Sequence, residues 1–202
     1  MIVLASNSPR RKEILKKFID FSVVTYDIEE NNEYYSSPEQ LTMALSFEKG
    51  IKVAIDNPKD IVISADTIVT IDSKVMGKPI DISDAKNMLE ELSGKVHEVI
   101  TGYSIFNINK KIKYTDHVKS NVKFKELSNK DIKYYLDTDE YIGKAGAYAI
   151  QGYGSLLVEY IEGDFNNIVG LPISKISDKL YDFFGISLMK EVVKGGKKGM
   201  HL

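Results

Sequence analysis

The chain has 202 residues, with 27 Lys and Arg against 29 Asp and Glu, so its formal net charge is -2. An apolar fraction of 43% is too high for a disordered chain, and the balanced charge gives no basic face for duplex DNA. The absence of Cys excludes disulfides and thiolate sites, and three His disfavour a site built on several imidazoles. These values are typical of a globular protein of roughly one to one and a half domains.

The N-terminal segment is apolar but short. No apolar run approaches the roughly 20 residues that span a bilayer. A basic cluster follows the apolar residues 1–5, whereas in a signal peptide the charge comes first. We therefore expect a short buried strand here and a cytoplasmic protein without a membrane partner.

Strands and helices alternate along the chain. The predicted strands are residues 1–5, 21–24, 61–71, 96–107, 112–124 and 156–161. The predicted helices are residues 10–18, 37–55, 81–92, 128–136 and 172–184. This order, with a hairpin around Asn109-Lys110, predicts an α/β fold with a mixed central sheet flanked by helices. We expect one domain over residues 1–186 and a C-terminal extension over residues 187–202 that is flexible at its end.

A carboxylate interrupts the strongest predicted strand. Asp66 stands in the middle of the apolar residues 61–71. A buried Asp costs free energy unless it is paired, hydrogen-bonded or bound to a metal. One interpretation is an exposed Asp at a strand edge or bulge. The interpretation we favour is a carboxylate held at the working edge of the sheet, for metal binding or proton abstraction.

Hydroxyl and guanidinium groups gather where the first strand leads into the first helix. The segment Ser6-Asn-Ser-Pro-Arg-Arg-Lys12 has Ser8 as the expected cap, Pro9 at the first helical position and two Arg in the first turn. Arg in a first turn opposes the helix dipole, so this cluster suits an external anion. The alternative is a pair of solvated surface arginines.

Three other segments combine glycine with functional side chains. Gly77-Lys78-Pro79 lacks the remaining residues of a P-loop, and taken alone it favours a structural turn. Four glycines within residues 143–154 surround Gln151, whose amide suits the edge of a base, in either a binding loop or a flexible one. His97 stands alone in a predicted strand, and we expect it to be structural.

Together these segments resemble the Maf family of nucleoside triphosphate pyrophosphatases. Each motif is weak alone, but six of them in register, over about residues 2 to 185, are specific. The matching segments are Leu4–Arg11, Ser64–Thr67, Gly77–Pro79, Leu92–His97 with Thr101–Gly102, Lys144–Tyr148 with Ile150–Gly152, and Val169–Pro172.

The resemblance implies a function and a shape. The implied reaction is hydrolysis between the α and β phosphates of a nucleoside triphosphate, giving a monophosphate and pyrophosphate, with Mg²⁺ or Mn²⁺ required. The implied fold is an elongated α/β body with a deep cleft, related to the inosine-triphosphate pyrophosphatases. Homodimers are common in the family, so a homodimer is an expectation here, and no nucleic-acid partner is implied.

The resemblance also implies roles for individual residues. Asp66 matches the catalytic carboxylate, which acts as a base on water or through a metal. Glu30 matches an acidic position near the metal, although Glu29 or Glu33 fits this loosely aligned stretch as well. The implied substrate-binding residues are Ser6, Arg10, Arg11, Lys49, Lys78 and Gln151.

The glycine-rich segment resembles one branch of the family. Its Ala-Gly-Ala-Tyr…Ile-Gln-Gly form is similar to the branch acting on dTTP and UTP, whereas the 7-methyl-GTP branch typically ends this stretch in Glu-Gly. The amide of Gln151 can pair with the carbonyl and imide edge of a pyrimidine. Two positions depart from the family pattern: Gly50 stands where the family usually has Ala, and Ala149 stands where it usually has Gly.

Three alternative functions stay open at this point. They are a pyrophosphatase preferring 7-methyl-GTP, a nucleotide-sensing regulator linked to septum formation, and a binder of single-stranded nucleic acid. The last is disfavoured because the tyrosines are not interleaved with basic residues, as a stacking groove requires.

Overall fold

The structure, a computed structural model, describes residues 1–27, 35–72 and 74–195. The strands are β1 (Ile2–Leu4), β2 (Ser22–Val23), β3 (Ile61–Ile71), β4 (Lys74–Met76), β5 (Val96–Asn107), β6 (Ile112–Phe124) and β7 (Val158–Glu162). The α-helices are α1 (Pro9–Lys16), α2 (Pro38–Asp56), α3 (Ile82–Leu92), α4 (Asn129–Leu136), α5 (Phe165–Val169), α6 (Ile173–Phe184) and α7 (Leu188–Lys194). Two short 3-10 helices, Ala145–Ala147 and Tyr153–Leu157, lie between α4 and β7.

Within the described residues, the seven strands form one mixed sheet. The order is β2-β1-β3-β5-β6-β7, and β4 pairs with the far end of β3. β1 is parallel to β2 and β3, whereas the β3, β5, β6 and β7 pairings are antiparallel. The predicted mixed α/β fold is therefore confirmed, including the hairpin between β5 and β6.

One edge of β3 has a gap between its two neighbours. β1 pairs with Ile61–Ile63, and β4 pairs with Val69–Ile71. Residues 64–68, at the centre of β3, therefore have a described strand only on their β5 side. Parallel strands place their carboxyl ends at one edge of a sheet, so the loop after β1 opens beside this gap.

The two faces of β3 meet different helices, because successive side chains in a strand point to opposite faces. Ile63, Ala65 and Val69 join the larger core, which α1, α3, α4 and α6 cover. Val62 and Ile68 face α2 instead, in two smaller clusters. Asp66 is an even number of residues from Val62 and Ile68, so it belongs to the α2 face of β3, whereas Thr67 belongs to the opposite face.

Small residues allow α2 to lie close to the sheet. The Ser64 hydroxyl donates to the Ser46 carbonyl at 2.6 Å, and the hydroxyls of Ser46 and Ser104 are 2.8 Å apart. A Cβ placed on Gly102 would lie 2.6 Å from the Met43 nitrogen and closer still to the Thr42 carbonyl. Gly102 thus has no side chain because the helix backbone occupies that space.

The structure corrects several sequence expectations. Asp66 does not interrupt β3, since the strand runs through it and Asp66 pairs in register with Gly102. It also lies in a central strand and not at a bulge or an outer edge of the sheet. β7 begins at Val158 and not at Leu156, because a 3-10 helix occupies the preceding residues. The sequence did not predict β4, α5 and α7, which are too short for a clear hydrophobic period.

Candidate active site

A cavity of about 690 Å³ opens at the gap in the sheet. The loop after β1, the start of α1, the centre of β3 and the segment around residues 143–150 surround it. Side chains from both faces of β3 reach it, because β3 has no strand neighbour at its centre on that side. The gap therefore places groups from α1 and from α2 around one cavity.

On the α2 face, Asp66 and Lys49 form an ion pair. Asp66 is only 9% exposed, and its carboxylate accepts a hydrogen bond from Lys49 Nζ. Lys49 follows Thr42 by about two helical turns, so both lie on the side of α2 that faces the sheet. The close approach of α2 at Gly102 thus brings the ammonium group over the carboxylate.

On the opposite face, three hydrogen bonds to described residues fix Arg11. Its Nε donates to the Gly170 carbonyl at 2.8 Å, Nη1 to Ser6 Oγ at 3.2 Å and Nη2 to Thr67 Oγ1 at 3.1 Å. The planar guanidinium presents its donors in a rigid fork, so these bonds fix its orientation. Arg11 therefore ties the loop after β1 to β3 and to the turn after α5.

Buried hydroxyls continue this network into the core. Thr67 Oγ1 lies 2.9 Å from Thr101 Oγ1, across the β3–β5 pairing. The Thr101 hydroxyl contacts the Asn167 carbonyl at 2.9 Å. The Asn167 amide in turn donates to the Val99 carbonyl at 3.0 Å. A buried hydrogen-bonded network of this kind makes its members rigid, although the side-chain oxygen of Asn167 has no hydrogen-bond partner among the described residues.

Arg10 differs from its neighbour. Among the described residues it makes no hydrogen bond, although it is half-buried and lines the cavity. Burial lowers the pKa of Arg10, and burial followed by the charge of Arg10 lowers the pKa of Lys144. Two neighbouring cations that are partly withdrawn from water favour the arrival of an anion.

The start of α1 also suits an anion. Ser8 occupies the predicted cap position, but its side chain makes no capping hydrogen bond. The Ser8 backbone N–H donates instead to Ser6 Oγ at 3.3 Å. The first N–H groups of a helix have no partner within the helix and carry a partial positive charge. Ser8, Pro9 and Arg10 line the cavity, so this positive end borders it.

Most of the predicted site residues meet in this cavity. Those that line it are Ser6, Arg10, Arg11, Lys49, Asp66 and Lys78. Gln151 is exposed and is not among the lining residues, although its neighbour Ile150 is. Glu30, with its alternatives Glu29 and Glu33, lies outside the described residues.

Sequence reasoning did not single out several lining residues. Lys144 stands in the matched Lys-Ala-Gly-Ala-Tyr segment, and Thr67 directly follows Asp66, so both lay inside motifs already quoted. Tyr26 and Asp27 also line the cavity, and no local pattern marks them. The available signal was membership of a matched motif, which Lys144 and Thr67 had and which Tyr26 and Asp27 lacked.

The residues fit a divalent cation that is shared with a phosphate substrate. In the described part of the chain, no three His, Asp or Glu side chains cluster as a metal site. Mg²⁺, however, is commonly held by one or two carboxylates together with substrate phosphates. Asp66 and Asp27 supply carboxylates to the cavity, and the lining cations suit the phosphates.

His97 lies behind the cavity wall. It is 1% exposed, and its Nε2 is 2.9 Å from the hydroxyl of Tyr148, which lines the cavity. Its Nδ1 has no hydrogen-bond partner among the described residues. Burial lowers the pKa of His97 to about 4, so the ring is neutral at pH 7. This placement agrees with the structural role expected for it.

No helix in the described ranges has both the length and the apolar composition to cross a bilayer.

Comparison with known proteins gives one family and several close relatives. A dTTP/UTP pyrophosphatase from Clostridioides difficile is 52% identical, over 93% of this chain and 97% of its own length. A dTTP/UTP pyrophosphatase from Pyrococcus furiosus is 46% identical, over 85% and 90%.

Among solved structures, the Staphylococcus aureus Ham1 protein is similar with a TM-score of 0.45 and 14% identity, over 61% of this chain and 71% of that chain. The Maf-like protein family matches residues 1–183. The chain therefore belongs to the Maf family, as the sequence motifs predicted.

Proposed function

We propose that this protein is a nucleoside triphosphate pyrophosphatase that hydrolyses the α–β phosphate bond of dTTP and UTP. The observation that carries the proposal is the cavity at the gap in the sheet, where a nearly buried carboxylate meets several cations. The relatives named dTTP/UTP pyrophosphatase, at 46% and 52% identity, support the choice of substrate. The products are a nucleoside monophosphate and pyrophosphate.

The cations bind and orient the triphosphate. Phosphoryl transfer depends on positioning and on neutralising charge more than on covalent help. Arg10 has its guanidinium fork unengaged by described residues, so it can grip two phosphate oxygens at once. Lys78 and Lys144 line the same cavity and add positive charge. Arg11 holds Ser6 and Thr67 in place while its own charge faces the phosphates.

Asp66 acts on the attacking water. If it is the base, its carboxylate takes a proton from the water as the water oxygen bonds to phosphorus; the bond from that phosphorus to the oxygen bridging the α and β phosphates breaks, and the other phosphate product leaves with that oxygen. Lys49 fixes the orientation of the carboxylate through its hydrogen bond. A group that transfers a proton in this way contributes typically 10²–10⁴-fold to a rate.

A divalent metal complements these residues. Asp66 would hold it, together with Glu30, and Mg²⁺ or Mn²⁺ matches the oxygen donors. When bound, the metal would lower the pKa of the attacking water and neutralise phosphate charge. Asp66 is therefore assigned either as the base or as a metal ligand.

A substrate panel tests the proposal. The protein is incubated with dTTP, UTP, CTP, ITP or 7-methyl-GTP in the presence of Mg²⁺, and the products are separated by chromatography. We expect monophosphate and pyrophosphate in equal amounts, with dTTP and UTP as the best substrates. Preference for 7-methyl-GTP would overturn the substrate assignment. Binding without turnover would favour a nucleotide-sensing regulator.

A further inference from the structure

One carboxylate holds the loop that carries Gln151. Glu140 Oε1 accepts the backbone N–H of Tyr153 at 3.0 Å, and Oε2 accepts that of Gly154 at 2.8 Å. These two residues lie two and three positions after Gln151. Hydrogen bonds to an ionised carboxylate are about twice as strong as neutral ones. Glu140 therefore fixes the C-terminal side of the loop.

Gly152 makes this contact sterically feasible. A Cβ on Gly152 would overlap Glu140 Oε1 and would lie 2.6 Å from its Cδ. The loop backbone thus packs directly against the carboxylate, with no space for a side chain. The residue after Gln151 is a glycine because Glu140 occupies the position of its Cβ.

Tyr135 holds the other side of the loop. Its hydroxyl accepts the backbone N–H of Ala149 at 3.2 Å. Tyr135 is a buried residue of α4, and Glu140 lies four residues after the end of the same helix. Side chains from one short stretch therefore hold the loop backbone on both sides of Gln151, whose own side chain is exposed.

The same carboxylate influences the cations of the cavity. Its negative charge raises the pKa of Arg10 and of Lys144, against the larger lowering caused by burial. Glu140 therefore interacts electrostatically with two cations that line the cavity, and it also holds the backbone of the loop that carries Gln151.

We propose that Glu140 is a positioning residue that determines which base the protein prefers, by fixing Gln151 relative to the phosphate-binding cations. The inference rests on the proposed function for the nucleotides and their phosphate contacts, and on the family resemblance for base recognition by Gln151, which is exposed next to the cavity-lining Ile150. Glu140 touches the loop backbone and not the reacting atoms, so its replacement weakens recognition of the base more than the chemical step.

The test measures base preference by binding, without turnover. Calorimetry gives Kd for dTMP and dCMP with the wild type, Glu140→Gln, Gln151→Ala and the double variant. We expect the wild type to bind dTMP at least tenfold more tightly, and each single variant to lose most of that preference. If Glu140 acts through Gln151, the double variant loses no more than Gln151→Ala does.

Hydrogen exchange supplies a readout that needs no nucleotide. In Glu140→Gln, at least one of the two charge-assisted bonds is lost, so the Tyr153 and Gly154 amides should exchange at least tenfold faster. Glu159→Gln is the matched control, because it removes an exposed carboxylate that makes no hydrogen bond or ion pair to described residues. If Glu140→Gln proves too unstable, Gly152→Ala perturbs the same contact from the loop side.

Three results would overturn the inference. The first is unchanged protection of both amides in Glu140→Gln. The second is an unchanged dTMP preference in Glu140→Gln, and the third is a wild type with no preference for dTMP over dCMP. Failure of the proposed function is seen separately, as absence of dTTP and UTP hydrolysis by the wild type.

Discussion

Replacing Gly102 by Ala tests the packing that brings Lys49 to Asp66. The added Cβ would lie 2.6 Å from the Met43 nitrogen and closer to the Thr42 carbonyl, whereas ordinary contacts are about 3.5 Å. The backbones of α2 and β5 must therefore separate by about 1 Å. Overpacking of this kind costs about 1–3 kcal/mol, and a backbone contact belongs at the upper end.

The expected loss is measurable in stability and in activity. At about 3 kcal/mol, a protein of this size should melt about 6–12 °C lower. A displacement of about 1 Å between catalytic groups can cost about 10²-fold in rate, so kcat/KM for dTTP should fall by about 10- to 100-fold. Calorimetric melting and steady-state kinetics give the two values.

The stability control is Gly77→Ala, because a Cβ there meets nothing within 4 Å. Its melting temperature should stay within about 2 °C of the wild type. A Gly102→Ala protein with wild-type melting temperature and kcat/KM would refute the reasoning that close packing of α2 positions Lys49.

Two other predictions concern neighbouring arginines and a buried histidine. Arg11→Lys cannot keep all three bonds that Arg11 makes to described residues, so it should lower the unfolding free energy by about 1–3 kcal/mol. Arg10→Lys should change the unfolding free energy by no more than about 0.5 kcal/mol and should mainly raise KM. Urea unfolding and steady-state kinetics measure the two effects, and a larger loss of stability in Arg10→Lys than in Arg11→Lys would contradict the separate roles. Because burial lowers the pKa of His97 from 6.5 to about 4, the unfolded chain binds a proton below pH 6.5 that the folded chain does not. Stability should therefore fall by about 1.4 kcal/mol per pH unit from pH 6.5 down to 4, and His97→Gln should flatten this slope in urea unfolding; an unchanged slope would rule out His97 as its source.

Long, regular elements were predictable from sequence because their patterns are strong. β3, β5 and β6 have the predicted bounds, since β-branched and aromatic residues run through each of them. α5 and β4 were missed because five and three residues are too few to establish a period. Tertiary pairing, and not local propensity, determines such short elements.

The site residues were predictable where a residue type is unusual for its position in a strand or helix. Asp66 in an apolar strand and two Arg at a helix start both pointed to chemistry, and the structure places them around one cavity. The contacts of Glu140 were invisible in sequence, because a carboxylate that binds backbone N–H groups more than a dozen residues away leaves no pattern. The distinct roles of Arg10 and Arg11 also required the fold, since only one of them reaches Gly170.

Product analysis of dTTP hydrolysis, with the wild type beside Asp66→Asn, tests the central claim most directly. The wild type should release dTMP and pyrophosphate in a 1:1 ratio, and Asp66→Asn should lower the rate by about 10²–10⁴-fold while the fold, checked by circular dichroism, is retained. Release of dTDP and orthophosphate, or near wild-type activity in Asp66→Asn, would contradict the account.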